Sequence, residues 1–139
     1  MKIKKIIIFM LVLGSICAFF AYKMYHKPHV NVAASKSDIS LSADKILTDF
    51  TSDENAANAV YLEKIIEVNG IISDVKIENE KGIITLKTND DFGSVLCHLS
   101  ENATKEMNTL KTGQSIRLKG ICTGFLMDVI LVKCEISNQ

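Results

Sequence analysis

The stretch IIEVNGIISDVKI, residues 65–77, decides the fold. Apolar residues recur with a period of two, which is the pattern of a strand with one buried face. The run is rich in β-branched residues and longer than the usual strand of about 5–6 residues. Gly70 stands near its middle, where glycine marks a bulge or sharp bend. A long strand bent at its centre is what wraps around a small barrel. Toward the C-terminus, ENEKG (78–82) reads as a turn and GIITLK (82–87) as the second strand. TNDDFG (88–93) is the next turn, and SVLCHL (94–99) the third strand, with Val95, Cys97 and Leu99 on one face. ENATKEMNTLKTG (101–113) then drops the alternation. Its Ala103, Met107 and Leu110 fall at helical spacing, and Gly113 ends the segment. SIRLKGICT (115–123) is the fourth strand, with Ile116, Leu118, Gly120 and Cys122 pointing one way and Arg117 and Lys119 the other. GFLM connects it to DVILVKCEI (128–136), the fifth.

Toward the N-terminus, Ser42 is a good helix cap, Asp44 suits a first turn, and Ile46, Leu47 and Phe50 recur at helical spacing. Asp53 opens DENAANAVY (53–61), with Ala56, Ala57, Val60 and Tyr61 on one side. These residues predict two short helices, or one broken near Thr51 and Ser52. The order is therefore helix, then β-β-β-α-β-β. Five strands, a long bent one first and a helix between the third and fourth, describe a mainly β OB-fold, a partly open Greek-key barrel. An SH3-like barrel would leave that helix unexplained. With no Trp, the core must be aliphatic.

Ahead of this domain, Lys2, Lys4 and Lys5 precede an uncharged run from Ile6 to Tyr22. Its length is near the lower limit of about 17 residues for a spanning helix, and Tyr22, Lys23 and Tyr25 suit the interface. A cleaved signal peptide would have a shorter apolar stretch followed closely by a small-x-small site. Here the run ends in Phe19, Phe20 and Tyr22, and the nearest such site, Val32-Ala33-Ala34, lies beyond Lys23 and Pro28. Lipidation at Cys17 is disfavoured because Ile16 is too large to precede a lipidated cysteine. A retained signal anchor is expected. The three lysines before it favour N-in, C-out, so the domain faces an extracytoplasmic space, the periplasmic side of the inner membrane in a two-membrane envelope. The chain divides into a cytoplasmic N-terminus (1–5), a transmembrane anchor (6–25), a linker (26–41) and the barrel with its leading helices (42–139). His26 and His29 bracket Pro28 in the linker and are read as linker residues, since two flexible imidazoles make a weak metal site.

The net charge of zero hides an asymmetry. Five of the 16 basic residues flank the anchor, and all 16 acidic residues follow residue 37, which leaves residues 30–139 at −5. A domain built on phosphate contacts is usually basic. OB-folds that bind nucleic acid stack bases on aromatics of the second and third strands, yet GIITLK and SVLCHL contain none. Arg117, Lys119 and Lys133 make a small basic patch on the fourth and fifth strands, read first as a solvated face, and Glu78 and Glu80 sit in the first turn. Nucleic acid is therefore the alternative partner, not the expected one. The better contact candidate is the loop between the fourth and fifth strands, where Phe125, Leu126 and Met127 are three large apolar residues in a row. The competing reading turns Phe125 and Leu126 inward to plug the barrel.

Cys97, Cys122 and Cys134 share the apolar parity of their strands and read as small core residues. Pairing Thr123 with Asp128 would set Cys122 opposite Val129, too far from Cys134 for a bond. Cys97 and Cys134, on neighbouring strands, are the candidate disulfide. His98 follows Cys97 directly and so points to the opposite face, which rules out a Cys–His dyad. No zinc spacing, phosphate loop or catalytic constellation is present, so no metal or cofactor is expected and the chain reads as a non-enzyme.

The segments DENAANAVYLEKIIEVNGII (53–72), FGSVLCHL (92–99) and LKTGQSIRLKGICTGFLMDVILVKC (110–134) resemble the bacterial tRNA_anti-like family of OB-fold lipoproteins and membrane-anchored OB-fold proteins. The likeness covers roughly residues 42–137, and GICTG with DVILVKC is its most specific part. YHKPHVNV (25–32) resembles the juxtamembrane stretch of anchored members. The resemblance implies an OB-fold and an envelope location but brings no activity, because fold does not fix function. The lipobox of the lipoprotein members is absent here. Taken together, the sequence predicts a membrane-anchored binding module for an envelope protein or small envelope ligand.

Overall fold

The computed structural model describes residues 2–26 and 30–137, in two units, Met1–Val30 and Asn31–Gln139. The first unit is the helix α1 (Lys2–Tyr25), with no buried residue. Its 24 residues at 1.5 Å each give about 36 Å, enough for a hydrocarbon core of about 30 Å. By length and composition it passes as a membrane span. His26 follows it, its ring 4.2 Å from that of Tyr22. His29 lies outside the described residues.

The second unit begins with a short strand, β1 (Ile39–Ser42), then α2 (Ala43–Ser52) and α3 (Glu54–Tyr61). The barrel strands follow: β2 (Ile65–Glu78), β3 (Lys81–Lys87), β4 (Val95–Leu99), β5 (Ser115–Phe125) and β6 (Val129–Ile136). Between β4 and β5 lie α4 (Glu101–Glu106) and a 3₁₀ turn, Met107–Thr109. The sheet order is β1-β2-β3-β4-β6-β5, and pairing of β2 with β5 closes the barrel. β4 and β6 run parallel and the other barrel pairs antiparallel, which is the OB-fold. Within the barrel β2 serves two neighbours: Ile65–Ile71 pairs with β5, and Ile71–Glu78 with β3.

Both helix caps form as the sequence indicates. The Ser42 side chain accepts from the Lys45 N–H (3.2 Å), and Asp53 from the Ala56 N–H (3.0 Å). Asp53 is also where α2 ends, so the break falls just past Thr51-Ser52. Within α3 only Ala57 and Tyr61 turn inward, while Ala56 and Val60 are exposed. The turn from β2 to β3 takes Asn79 and Glu80 through positive φ (48° and 65°), as a tight two-residue hairpin requires.

Two expectations shift. The bulge in β2 lies between Ile72 and Asp74, not at Gly70. Gly70 is instead a point of close approach: a Cβ there would lie 3.2 Å from Ala43 Cβ and 3.3 Å from Leu86 Cβ, so glycine lets α2 settle against the barrel. The boundary at residue 42 also shifts. Ile39–Ser42, which begins in the expected linker and ends at the first residue of the expected domain, runs parallel to Ile66–Asn69 of β2 and fills the side that β3 leaves open there.

The strands contribute an aliphatic core, and α2 and α3 add the buried aromatics Phe50 and Tyr61. Ile66, Val68, Ile84, Leu86, Val95, Leu118, Val129 and Leu131 are completely shielded inside the barrel, with Cys97, Cys122 and Cys134 among them. Helices close both ends. At one end Met107 and Leu99 press on Gly82, where an added Cβ would fall 2.5 Å from Met107 Sδ and 2.9 Å from Leu99 Cδ1. At the other, Ile46, Leu47 and Phe50 of α2 are buried. The Phe50 ring stacks on Phe125 at 5.7 Å and 21°.

Candidate interaction surface

The loops at the α2 end are laced together. The Asp128 carboxylate accepts from the Ser94 N–H (2.8 Å) and the Ser94 hydroxyl (2.6 Å), and the Val129 N–H donates to the Ser94 carbonyl (3.0 Å). A Cβ on Gly93 would sit 3.0 Å from Leu47 and 3.2 Å from the Met127 carbonyl oxygen, so helix and loops meet there. On this frame the expected contact residues part company. Phe125 is half-buried against Phe50 and belongs to the plug. Leu126 and Met127 are 79% and 71% exposed. Leu126 therefore does not turn inward, because the three-residue turn 126–128 is too short to reach back over the barrel mouth.

Met127 has φ +83°, a region that bulky residues rarely adopt. Phe92, which the sequence reading passed over, is 87% exposed in the neighbouring loop. Its signal was a lone aromatic in the otherwise polar turn TNDDFG.

The basic patch is not free. Arg117 Nε lies 3.7 Å from Glu67 Oε1, and Glu67 also accepts from the Ser40 (3.0 Å) and Ser137 (3.0 Å) hydroxyls. Lys119 Nζ donates to the carbonyl oxygens of Ala33 (3.1 Å) and Ser35 (2.7 Å), so residues 31–37 lie over this face. Val32 is buried at 3% exposure. Arg117, Lys119 and Lys36 line one open cleft with Glu67, Glu106 and Glu135, so cations and carboxylates balance there. Lys133 is not among the residues lining that cleft; it is exposed at the β6 bulge, with φ +53°.

All three barrel cysteines are buried and free. Burial, then a hydrogen bond with Cys97, pushes the Cys134 thiol well above its ordinary value. The two expected disulfide partners are therefore neighbours, as thiols. The hairpin pairs Cys122 with Leu131 and Phe125 with Val129, a shift from the expected register caused by that short turn. Cys97 is buried and His98, paired with Ile83, lies on the other side of β4. Among the described residues no group of three or more His, Cys, Asp or Glu is arranged to hold a metal ion.

One network braces the helices. Asp49 accepts from Lys45 Nζ (2.5 and 2.6 Å) and from the Tyr61 hydroxyl (2.6 Å). The Lys45 and Tyr61 hydrogen bonds hold its carboxyl below the usual range, while burial and Asp49 push Tyr61 up to about 12.

The sequence profile of the tRNA_anti-like family matches residues 1–136. The chain belongs to the tRNA_anti-like family. This member is similar in structure to a Klebsiella pneumoniae protein proposed to be a nucleic acid-binding lipoprotein, with a TM-score of 0.61 and 17% identity, over 81% of this chain and 100% of that one. At that identity the likeness establishes the shared fold. Weaker likeness extends to Pyrococcus horikoshii asparaginyl-tRNA synthetase (TM-score 0.43, 16% identity, 55% of this chain and 20% of that). An OBody bound to hen egg-white lysozyme scores 0.45, at 14% identity over 58% and 85%. At those scores neither bears on function. No curated protein matches this tRNA_anti-like chain.

Proposed function

We propose that this tRNA_anti-like protein is held in the membrane by α1 and presents its barrel on the extracytoplasmic side as a non-catalytic interaction module. The contact is the apolar end formed by Leu126 and Met127, with Phe125 seating the loop beneath them. One observation carries the reading. Met127 combines a large exposed apolar side chain with φ +83°, where glycine would be lower in energy. Two unfavourable choices at one position are expected where function retains them. The run of apolar residues in α1 supports the anchor, and Lys2, Lys4 and Lys5 support N-in orientation.

Two experiments test the proposal. A C-terminal alkaline phosphatase fusion, active only after export, reads the topology; an inactive fusion with an active cytoplasmic reporter overturns it. A photo-crosslinking residue at Leu126 should form adducts in the intact envelope that the same residue at Lys81, on the opposite hairpin, does not. Equal labelling at both positions removes the contact assignment.

A second reading, nucleic-acid binding through Arg117, Lys119 and Lys133, draws on the family's OB-fold and on the role proposed for the Klebsiella protein. It requires residues 31–37 to leave Lys119 and predicts affinity that falls steeply with salt.

A further inference from the structure

We infer that the apolar end receives a basic amphipathic segment of another protein, an inference that rests on the contact proposed above. Phe92 is exposed in the loop that meets the Met127 turn, where a Cβ on Gly93 would lie 3.2 Å from the Met127 carbonyl oxygen, and hydrogen bonds fix that loop. Asp90 Oδ1 accepts from the N–H groups of Phe92 (2.8 Å) and Gly93 (3.2 Å). Asp44 Oδ1, on α2, accepts from the Asn89 N–H (2.6 Å), and the Thr88 hydroxyl donates to the Gly93 carbonyl. A loop fixed in this way loses little entropy when its side chain docks, which is the condition for an aromatic anchor to contribute strongly.

The same hydrogen bonds surround the apolar residues with negative charge. Asp44, Asp90, Asp91 and Asp128 belong to or brace the two loops, against Lys87 at their border. Asp91 is exposed and makes no hydrogen bond or ion pair among the described residues, so its charge is available to a partner. This collar decides the class of occupant. An anionic bilayer and a phosphate backbone would both meet like charge. A second copy docked by the same face would set carboxylates against carboxylates. A segment with Leu, Ile or Phe at helical spacing, flanked by Lys or Arg, satisfies both the apolar residues and the collar.

The test uses the full chain in nanodiscs of zwitterionic phosphatidylcholine, with a displayed random-peptide library counter-selected on empty discs. Enriched peptides should carry Lys or Arg beside apolar residues at helical spacing. Their affinity should fall at least tenfold with Phe92→Ser or Met127→Gly, and at least threefold with Asp91→Lys or on raising salt. Enriched peptides that need Phe92 and Met127 but carry no basic residues, and ignore Asp91→Lys, overturn the basic partner while leaving the apolar contact standing. Peptides indifferent to Phe92→Ser and Met127→Gly overturn both. An empty selection overturns the inference. So does binding of phosphatidylglycerol vesicles, or of single-stranded RNA, that Phe92→Ser abolishes.

Discussion

Substituting alanine at Phe125 and, separately, at Leu126 distinguishes a plug from a contact. A Phe side chain buries about 150–250 Å² when fully enclosed, so half-burial removes roughly 100 Å² from water. At about 25 cal/mol/Å² that is about 2.5 kcal/mol, and the ring stack on Phe50 adds about 0.5–1 kcal/mol. Phe125→Ala should therefore destabilise the domain by about 3 kcal/mol. Leu126, 79% exposed, should change stability by less than about 0.5 kcal/mol. Urea unfolding of the full chain in phosphatidylcholine nanodiscs reads the difference, followed by circular dichroism and by maleimide reaction of the buried Cys97, Cys122 and Cys134. For a domain of this size, with a slope of about 1–1.5 kcal/mol/M, Phe125→Ala should lower the midpoint by about 2–3 M. A midpoint unmoved by Phe125→Ala, or one lowered equally by Leu126→Ala, would refute the division of roles.

Three further outcomes are expected. Gly120→Ala places a Cβ 2.5 Å from Cys134 Sγ and should destabilise by about 1–3 kcal/mol, and adding Cys134→Ala should recover part of that loss in the same unfolding assay. Tyr61 is raised from 10.0 to about 12 in the folded state, so its contribution is fully present below pH 10 and lost as pH rises through 12. Unfolding curves across that window should lose about 2–3 kcal/mol in the native chain and less in Tyr61→Phe. Fluorescence anisotropy with single-stranded DNA and RNA at low salt should show no tight binding, because Glu67 and the residue 31–37 carbonyls already engage Arg117 and Lys119; nanomolar, salt-sensitive binding would favour the second reading.

The barrel was legible because its inward residues keep strand parity: Val95, Cys97, Leu99, Ile116, Leu118 and Cys122 all face the core. Register was not legible. It depends on bulges between Lys119 and Ile121 and between Cys122 and Gly124, which carry no fixed residue signature. β1 was missed because four residues, ISLS, are too few to show a period and adjoin a helix cap. The segment over the basic face is held through backbone carbonyls that any residues would supply, so the sequence suggested a free Lys119 where the fold provides a paired one. At the candidate site, Leu126 and Met127 were visible as an apolar run. Phe92 becomes their neighbour only once Val95 pairs with Val129 and brings the two loops side by side.

The shape of the apolar end bears on the size of its partner. Small molecules bind in concave sites that enclose most of their surface. The barrel interior is occupied by side chains with no exposure, and α2 and α4 close its two ends. Phe92, Leu126 and Met127 are exposed over most of their surfaces and do not enclose a small ligand. Exposed apolar groups are instead buried by a partner that brings its own concavity or its own apolar stripe. If the proposed contact holds, a protein partner is therefore favoured over a small molecule. Met127→Gly separates them without unfolding the domain. Glycine relieves the positive φ and should leave stability unchanged or raised by up to about 1 kcal/mol, while a protein contact at Met127 would weaken.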